Sequence, residues 1–581
     1  MALNLQRVEP SAAERADSTA PPPSVTRNGF ARVRSRAASL IPLAILAVLV
    51  LIPIGYLIYG SVRTDPPGVP GAGFTLSNFG FLATPEFWTV VRNSIIVAGG
   101  TMIGAFLLGL VLAYVIVRYN PPGARVLDTI VLVPAYVPQF IMAIAWVLLL
   151  SPTIGYLNTA GSTLGLPPLN IYSLGGIIWV GVLTSTPISY LYIKPALQAF
   201  DSSLEESARV FGASPAVAAR RILLPLARPA LLSAVLVLFV TTLGDFGIVG
   251  VLGPQARIDV IATKLLSMVT DFPSDPNAAA VLGLALMAVS LSGLLVTRKL
   301  LKNRDYATVG SRGAKQESAG SRWQRAIGVV VPGMFILIAA VLPIASLVVG
   351  SLQTYVSPTF QAPWTMANYL TLPNYPTLAR SIVNSVLYSV GAAVICMLLS
   401  VWFSRISVRG KGLVARMIDG IANLPLAIPH VVFGLALLWM WIVIPVGVYG
   451  SPWMLLITYV GLFLPFGMRA AVAAMHSIDP TLEEAGRMSG ASGFRTGVRI
   501  VLPLMIPAAL AGGTIILYNG MRELSASLLV YSTGSEVMSI VIWNLYEIGN
   551  YVQLFALSVV NVVLILVIVS VANVLSRRVG L

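Results

Sequence analysis

The chain has 581 residues, of which 57% are hydrophobic and only 10% charged, with a mean hydropathy of +0.85. So little polar surface excludes an ordinary soluble globule and leaves an integral membrane protein. The net charge of +15 needs a source, and the position of the basic residues along the chain supplies one.

Residues 1–38 are rich in Ala, Pro, Ser and Arg without an apolar stripe, and read as a disordered cytoplasmic tail. They are too long and polar for a typical signal peptide, so the apolar run that follows is expected to be retained. A helix needs about 20 uncharged apolar residues to cross about 30 Å of hydrocarbon. Such runs begin near Ser39, Ser94, Thr129, Ser173, Leu226, Asn277, Ala326, Ser381, Gly420, Trp453, Leu504 and Tyr551. Twelve spans put both termini on one side, and Lys and Arg are retained on the cytoplasmic face. With the termini and even-numbered loops inside, only Arg63, Arg92, Arg257, Lys264, Arg380 and Arg522 of the 37 Lys and Arg fall outside. Both termini are predicted to be cytoplasmic. The positive charge then follows from topology, needs no nucleic acid, and favours anionic membrane lipid at the inner face. The single cysteine, Cys396, lies within a predicted span, which excludes a disulfide framework or a Cys-based metal cluster.

The second half repeats the first. At an offset of 278, Asp201–Leu232 matches the stretch from Asp479 at 16 of 32 positions, many of them polar, Gly or Pro. At an offset of 291, ARVLDTIVLVPAYVPQ from Ala124 matches ARMIDGIANLPLAIPH from Ala415. The expected fold is therefore all-α and polytopic: twelve transmembrane helices as two parallel six-helix repeats about a pseudo-two-fold axis along the membrane normal. The predicted units are a first six-span domain at 39–298, a cytoplasmic linker at 299–325 and a second six-span domain at 326–581.

Between the fourth and fifth spans of each half lies a polar stretch that specifies two short helices meeting at a corner. Asp201 and Asp479 are placed to N-cap the first helix, with Pro480 at its first position in the second copy. Leu204, Ala208 and Phe211 form an apolar stripe, and Glu205 and Arg209 stand four apart. Gly212 and Gly490 follow as C-terminal caps, Ser214-Pro215 restarts a helix, and Pro225 and Pro503 mark entry to the next span. The predicted product is a stiff elbow projecting from the membrane.

These residues resemble the signature loop of ATP-binding-cassette importer permeases: Glu-Ala-Ala, three residues, Gly, nine residues, then Ile-x-Leu-Pro. The first copy reads Glu206-Ser207-Ala208, Gly212, Ile222, Leu224-Pro225; the second reads Glu484-Ala485-Gly486, Gly490, Ile500, Leu502-Pro503. Ser207 and Gly486 replace alanines and are equally small. The resemblance implies that each elbow docks on one of two copies of a separate ATPase, and that an extracytoplasmic binding protein delivers the solute. The chain is then a translocation subunit rather than an enzyme, with no cofactor. It contains no Gly-x-x-x-x-Gly-Lys-Ser/Thr phosphate loop, and two histidines and one cysteine make no catalytic constellation. A gradient-driven carrier of two six-span halves is the rival class; it calls for ionisable residues at mid-membrane, where the spans are nearly bare.

Asp245, in GDFG, should lie near the outer mouth, about 30 Å of helix beyond Pro225. Glu523, in RELSAS, stands at the same offset in the second half. The two acids could face each other across the axis, and carboxylates suit hard cations such as ferric ion. Equally, each could cap a helix or pair locally, as Glu523 could with Arg522. Gln139 and His430 are repeat partners in the third spans, which Pro134, Pro138, Pro425 and Pro429 should kink towards the path; Tyr136 could add a phenol there. Asp128 and Asp419 sit near Arg125 and Arg416 and read as structural pairs. Across nearly the whole chain beyond the tail, the fused architecture with these motifs looks like the ferric-iron importer branch, while permeases for thiamine, phosphonates, polyamines and other small solutes share the architecture.

Overall fold

The computed structural model describes residues 40–199, 224–301, 321–359, 361–410 and 412–578, together with residues 210–212, 214, 217, 220 and 221. The described elements are helical, apart from two isolated β-bridges. Among the described residues, ten helices are long and apolar enough to cross a membrane: Leu40–Ser61, Pro85–Tyr119, Leu174–Gln198, Leu224–Leu243, Pro276–Gly293, Arg322–Ser351, Pro376–Arg409, Pro452–Ser477, Gly493–Arg522 and Tyr551–Ala572.

The two remaining predicted spans, the third of each half, are not continuous helices. In the first half Ala124–Tyr136 and Gln139–Leu150 meet at 94°. In the second, Leu413–Ala422 and the 3₁₀ turn Leu424–Ala427 precede a separate helix, His430–Val443. The prolines are the cause. Pro138 and Pro429 stand in extended backbone immediately before the second segment, where each can begin a helix but not continue one.

Three other prolines are absorbed without a break. Pro53, Pro343 and Pro503 each stand two residues beyond a π-helical turn, Ala47–Leu51, Leu337–Val341 and Gly497–Val501. A wider turn just ahead relieves the clash between the proline ring and the preceding carbonyl. Pro503 therefore does not mark the start of a span: the helix runs unbroken from Gly493 to Arg522, about 45 Å at 1.5 Å per residue.

The repeat is visible in side-chain contacts. Asn78 Nδ2 donates to the carbonyls of Ser61 and Arg63 (3.0 and 2.8 Å), and Asn368 Nδ2 to those of Ser351 and Gln353 (both 2.8 Å). Arg63 bridges to Phe74 as Gln353 does to Trp364. Ser94 Oγ accepts from the Ile261 amide at 2.8 Å, and Ser385 Oγ from the Met538 amide at 2.7 Å.

The halves also interlock. Ile52–Ser61 of the first span packs on His430–Val443, and Leu342–Ser351 of the seventh packs on Gln139–Leu150. The approach is close enough that a Cβ on Gly60 would lie 1.5 Å from the Trp439 ring. Ser346 Oγ donates to the Ala145 carbonyl at 3.2 Å, and Tyr156 OH to Gln353 Oε1 at 3.2 Å. Near the start of the seventh span, Pro121 lies against Gly328. The broken third element thus follows the seventh span from end to end. Asp128 does not pair with Arg125 as expected; Tyr190 and Lys194 of the fourth span take its carboxylate.

Candidate functional site

Two regions carry the polar chemistry: the elbow and a charged cluster at the helix breaks. In the second half the elbow is fully described. Asp479 Oδ1 accepts from the Thr481 amide at 2.9 Å and caps Pro480–Met488. That bond holds the Asp479 carboxyl below the ordinary aspartate value. The helix ends in a tight turn: Ala491 N donates to the Gly486 carbonyl at 3.0 Å, and Gly490 takes φ +81°, a conformation that costs a residue with a side chain about 1–2 kcal/mol. Ser492 Oγ, accepting from the Arg495 amide at 3.3 Å, starts the next helix at Gly493.

Inside the corner a Cβ on Gly486 would lie 2.9 Å from Ile500 Cδ1, so the residue that departs from Ala stands at a close approach of the two helices. Outside it, Glu484 and Ala485 are exposed, and Met488 and Phe494 keep 90% and 82% of their surface accessible. Leu502 and Pro503 are also exposed, at the start of the long part of the helix. In the first half Glu206, Ala208 and Ile222 lie outside the described residues, as do Asp201, Leu204, Glu205 and Arg209. The described part agrees with the second copy: Gly212 has φ +83°, Val210 and Phe211 are 85% and 90% accessible, and Leu224-Pro225 opens the fifth span.

One feature of the elbow escaped sequence reading. Glu483 keeps 4% of its surface and is turned inward. Its Oε2 accepts from Arg405 Nε and Nη2 (3.1 and 2.7 Å) and its Oε1 from Arg409 Nε (3.2 Å); Arg487 is 4.0 Å away. Burial pushes the Glu483 carboxyl up, but the hydrogen bonds and charges of Arg405 and Arg409 outweigh it and hold the group below the ordinary glutamate value. Two arginines four residues apart at the end of a long apolar helix were the only signal in the sequence.

The second region forms where the breaks meet the ends of the fifth and eleventh spans. Gly244 lies against Pro429, with a Cβ there 3.0 Å from the proline's, and Gly247 lies against the Phe140 amide and the Gln139 side chain. Asp245 is thus level with the breaks. It is followed in the chain by a further ten-residue helix, Gly247–Ala256, about 15 Å long.

Both acids accept from backbone amides at the start of short helices. Asp245 Oδ1 accepts from the Gly247 amide at 2.9 Å, and Glu523 Oε1 from the Ala526 amide at 2.8 Å. Glu523 has a second role. Its Oε2 meets His430 Nδ1 at 2.5 Å, so its ion pair is with the first residue of the opposite half-helix rather than with Arg522. Glu523 keeps 6% of its side-chain surface and His430 41%, so the imidazole covers the carboxylate on the open side. The Arg522 Nε is buried without a hydrogen-bond partner, and the charges of Asp245 and Glu523 both act on its guanidinium. One turn earlier, Tyr518 meets Tyr136 of the first half edge to face, centroids 5.5 Å apart. Tyr136, Gln139, Asp245, His430 and Glu523 are therefore brought to one level by both halves. Arg522, considered in the sequence only as a local partner of Glu523, and Tyr518, not singled out in advance, complete the group. Among the described residues, no group of three or more His, Cys, Asp or Glu is disposed to hold a metal ion.

Comparison with known proteins adds the following. A family model described as a binding-protein-dependent transport system inner membrane component matches residues 105–304 and 398–581. The chain is 28% identical over 465 residues to a putative ferric transport system permease protein of Haemophilus influenzae, covering 78% of this chain and 71% of that one. It is 27% identical over 495 residues to a ferric transport system permease protein of Actinobacillus pleuropneumoniae, covering 83% and 70%. A second Haemophilus influenzae protein, an Fe(3+)-transport system permease, is 24% identical over 480 residues, covering 80% and 85%.

Proposed function

The chain belongs to the family of binding-protein-dependent transport system inner membrane components and is an ATP-binding-cassette importer permease of the fused type, and on that premise we propose that it forms the translocation path for ferric iron. Its halves, 39–298 and 326–581, joined through a cytoplasmic linker at 299–325, line the path between them, with both termini cytoplasmic. An extracytoplasmic binding protein delivers the ion. Two copies of a separate ATPase seat on the two elbows, and their closure on ATP switches the halves between inward-open and outward-open states.

The observation that carries the coupling role is the outer surface of the second elbow. A capped, corner-locked helix pair that leaves Met488 and Phe494 almost wholly exposed beside the exposed Glu484 has an unpartnered apolar face, and a groove on another subunit would cover it. The exposure of Val210 and Phe211 beside Gly212 supports the same role for the first elbow.

The cargo reading draws on the names of the three relatives and on the acids at the breaks. Asp245 and Glu523 offer hard oxygen donors at the level where Tyr136, Gln139 and His430 converge. Both acids are already engaged, by caps and by His430, so they would make brief rather than chelating contacts. That suits a conduit, which must release what it takes. The test is uptake of radiolabelled ferric iron by a strain lacking the chain: restored uptake on complementation is expected. Uptake equal with and without the chain would refute iron and leave the permease role standing.

A further inference from the structure

We propose that Arg405 and Arg409 are positioning residues that bind the second elbow to the eighth span, so that elbow, span and the second half's wall of the path move as one lever. This rests on the docking role of the elbows given above. The two guanidinium groups hold the elbow at three separate points. Arg409 Nη2 donates to the Ile478 carbonyl (2.5 Å) in the approach to the elbow. Both arginines hold the Glu483 carboxylate within its first helix. Arg405 Nη1 donates to the Gly493 carbonyl (3.0 Å) at the start of its second. A nine-residue helix has no stability of its own in water, so without such anchoring a push on Met488 would be spent in bending.

The same helix, Pro376–Arg409, carries a second grip near its other end. Asn384 Nδ2 donates to the carbonyls of Gly534 and Glu536 (3.1 and 2.9 Å), and Ser385 Oγ accepts from the Met538 amide. From Ser385 to Arg405 is about 30 Å of unbroken helix. The segment gripped there follows Glu523 and Ser527, and Ser539 Oγ donates to the Glu523 carbonyl at 2.6 Å. The line from elbow to charged cluster is therefore made of hydrogen bonds and one rigid rod.

The two halves are not equivalent in this respect. The far grip is repeated in the first half, where Asn93 Nδ2 donates to the Asp259 carbonyl at 3.1 Å and Ser94 accepts from Ile261. At the near end, the repeat offset of 291 places Tyr114 where Arg405 stands and Arg118 where Arg409 stands. With one guanidinium fewer, the first elbow transmits less of its motion, and the second is the tighter-coupled of the two.

The experiment compares the full chain, reconstituted in vesicles with its ATPase and supplied with the solute-loaded binding protein, as wild type, Arg405→Gln plus Arg409→Gln, and Arg118→Gln. ATPase retained on the chain, ATP hydrolysed and solute transported are read together. The double variant should keep the ATPase and hydrolyse ATP while transport per ATP falls about tenfold. Arg118→Gln should cost clearly less. ATPase retained with transport per ATP unchanged in the double variant would overturn the clamp alone, and an equal or larger loss from Arg118→Gln would overturn the asymmetry. A wild-type chain that retains no ATPase would overturn the docking role and this proposal with it. If the double variant sheds the ATPase, spin labels at Met488→Cys and Trp402→Cys in the chain by itself decide: a broadened distance distribution relative to the unsubstituted clamp supports it, and an unchanged one overturns it.

Discussion

Replacing His430 and Glu523 by alanine, singly and together, tests the contact that closes the charged cluster. Glu523→Ala by itself removes two things, the cap on the Ala526 amide and the bond to His430, and the first costs about 1 kcal/mol on its own. A double-mutant cycle cancels the cap, which does not involve His430, and leaves the pair. A hydrogen bond between charged groups contributes about 1.5–3 kcal/mol. Because 41% of the His430 side chain is accessible, solvent screening places the expected coupling at the lower end, about 1.5 kcal/mol. The assay is unfolding in mixed micelles of rising dodecyl sulfate fraction, followed by circular dichroism. A parallel cycle of Glu523→Ala with Arg522→Met should give a smaller coupling, since the Arg522 Nε makes no hydrogen bond. Additivity of His430→Ala and Glu523→Ala to within about 0.5 kcal/mol would refute the pairing, and a larger coupling to Arg522 would refute the choice of partner.

Reversing charge on both elbows, with Glu206→Lys plus Glu484→Lys, should reduce copurified ATPase and solute uptake together by about tenfold or more; unchanged uptake would sink the docking role. Gly490→Val forces a β-branched residue to φ +81° and should open the corner, read as faster proteolysis within residues 478–496 and loss of ATPase, while Ser489→Ala, on ordinary backbone beside it, should do neither. The folded-state pKa of Glu483 lies below its unfolded value, so its contribution is complete above about pH 4.3 and disappears as pH falls through the lower folded value. Hydrogen exchange of the elbow amides, corrected for intrinsic rates, should therefore accelerate as the pH drops below about 4. Glu483→Gln should raise exchange at neutral pH and flatten that dependence; an identical profile would contradict it.

Several features of the molecule are written locally and were readable at once. A span is specified by its own apolar length, and the elbow by caps and a glycine corner lying within a dozen residues. Asp479 and Gly490 accordingly sit in the structure as their spacing predicts, and Ser492 takes the place that the repeat offset of 278 gives to Ser214. The prolines were legible only in part. Pro138 and Pro429 break their helices, whereas Pro503, in similar company, follows a π turn within a continuous helix.

What the sequence by itself determined is a chain of apolar helices, duplicated, with one polar elbow in each half. Only the tertiary structure decided that each half's opening span lies against the other half's broken helix, that Asp245 sits level with the breaks, that Glu523 pairs with His430 across 93 residues and that Glu483 is held by Arg405 across 78. The physical reason is the medium. In lipid, apolar side chains gain nothing from facing one another rather than hydrocarbon, so helix partners are selected by close fit and by polar groups that must find each other, as at Gly60 against Trp439. Such fit belongs to pairs of surfaces distant along the chain, and no periodicity within either helix records it.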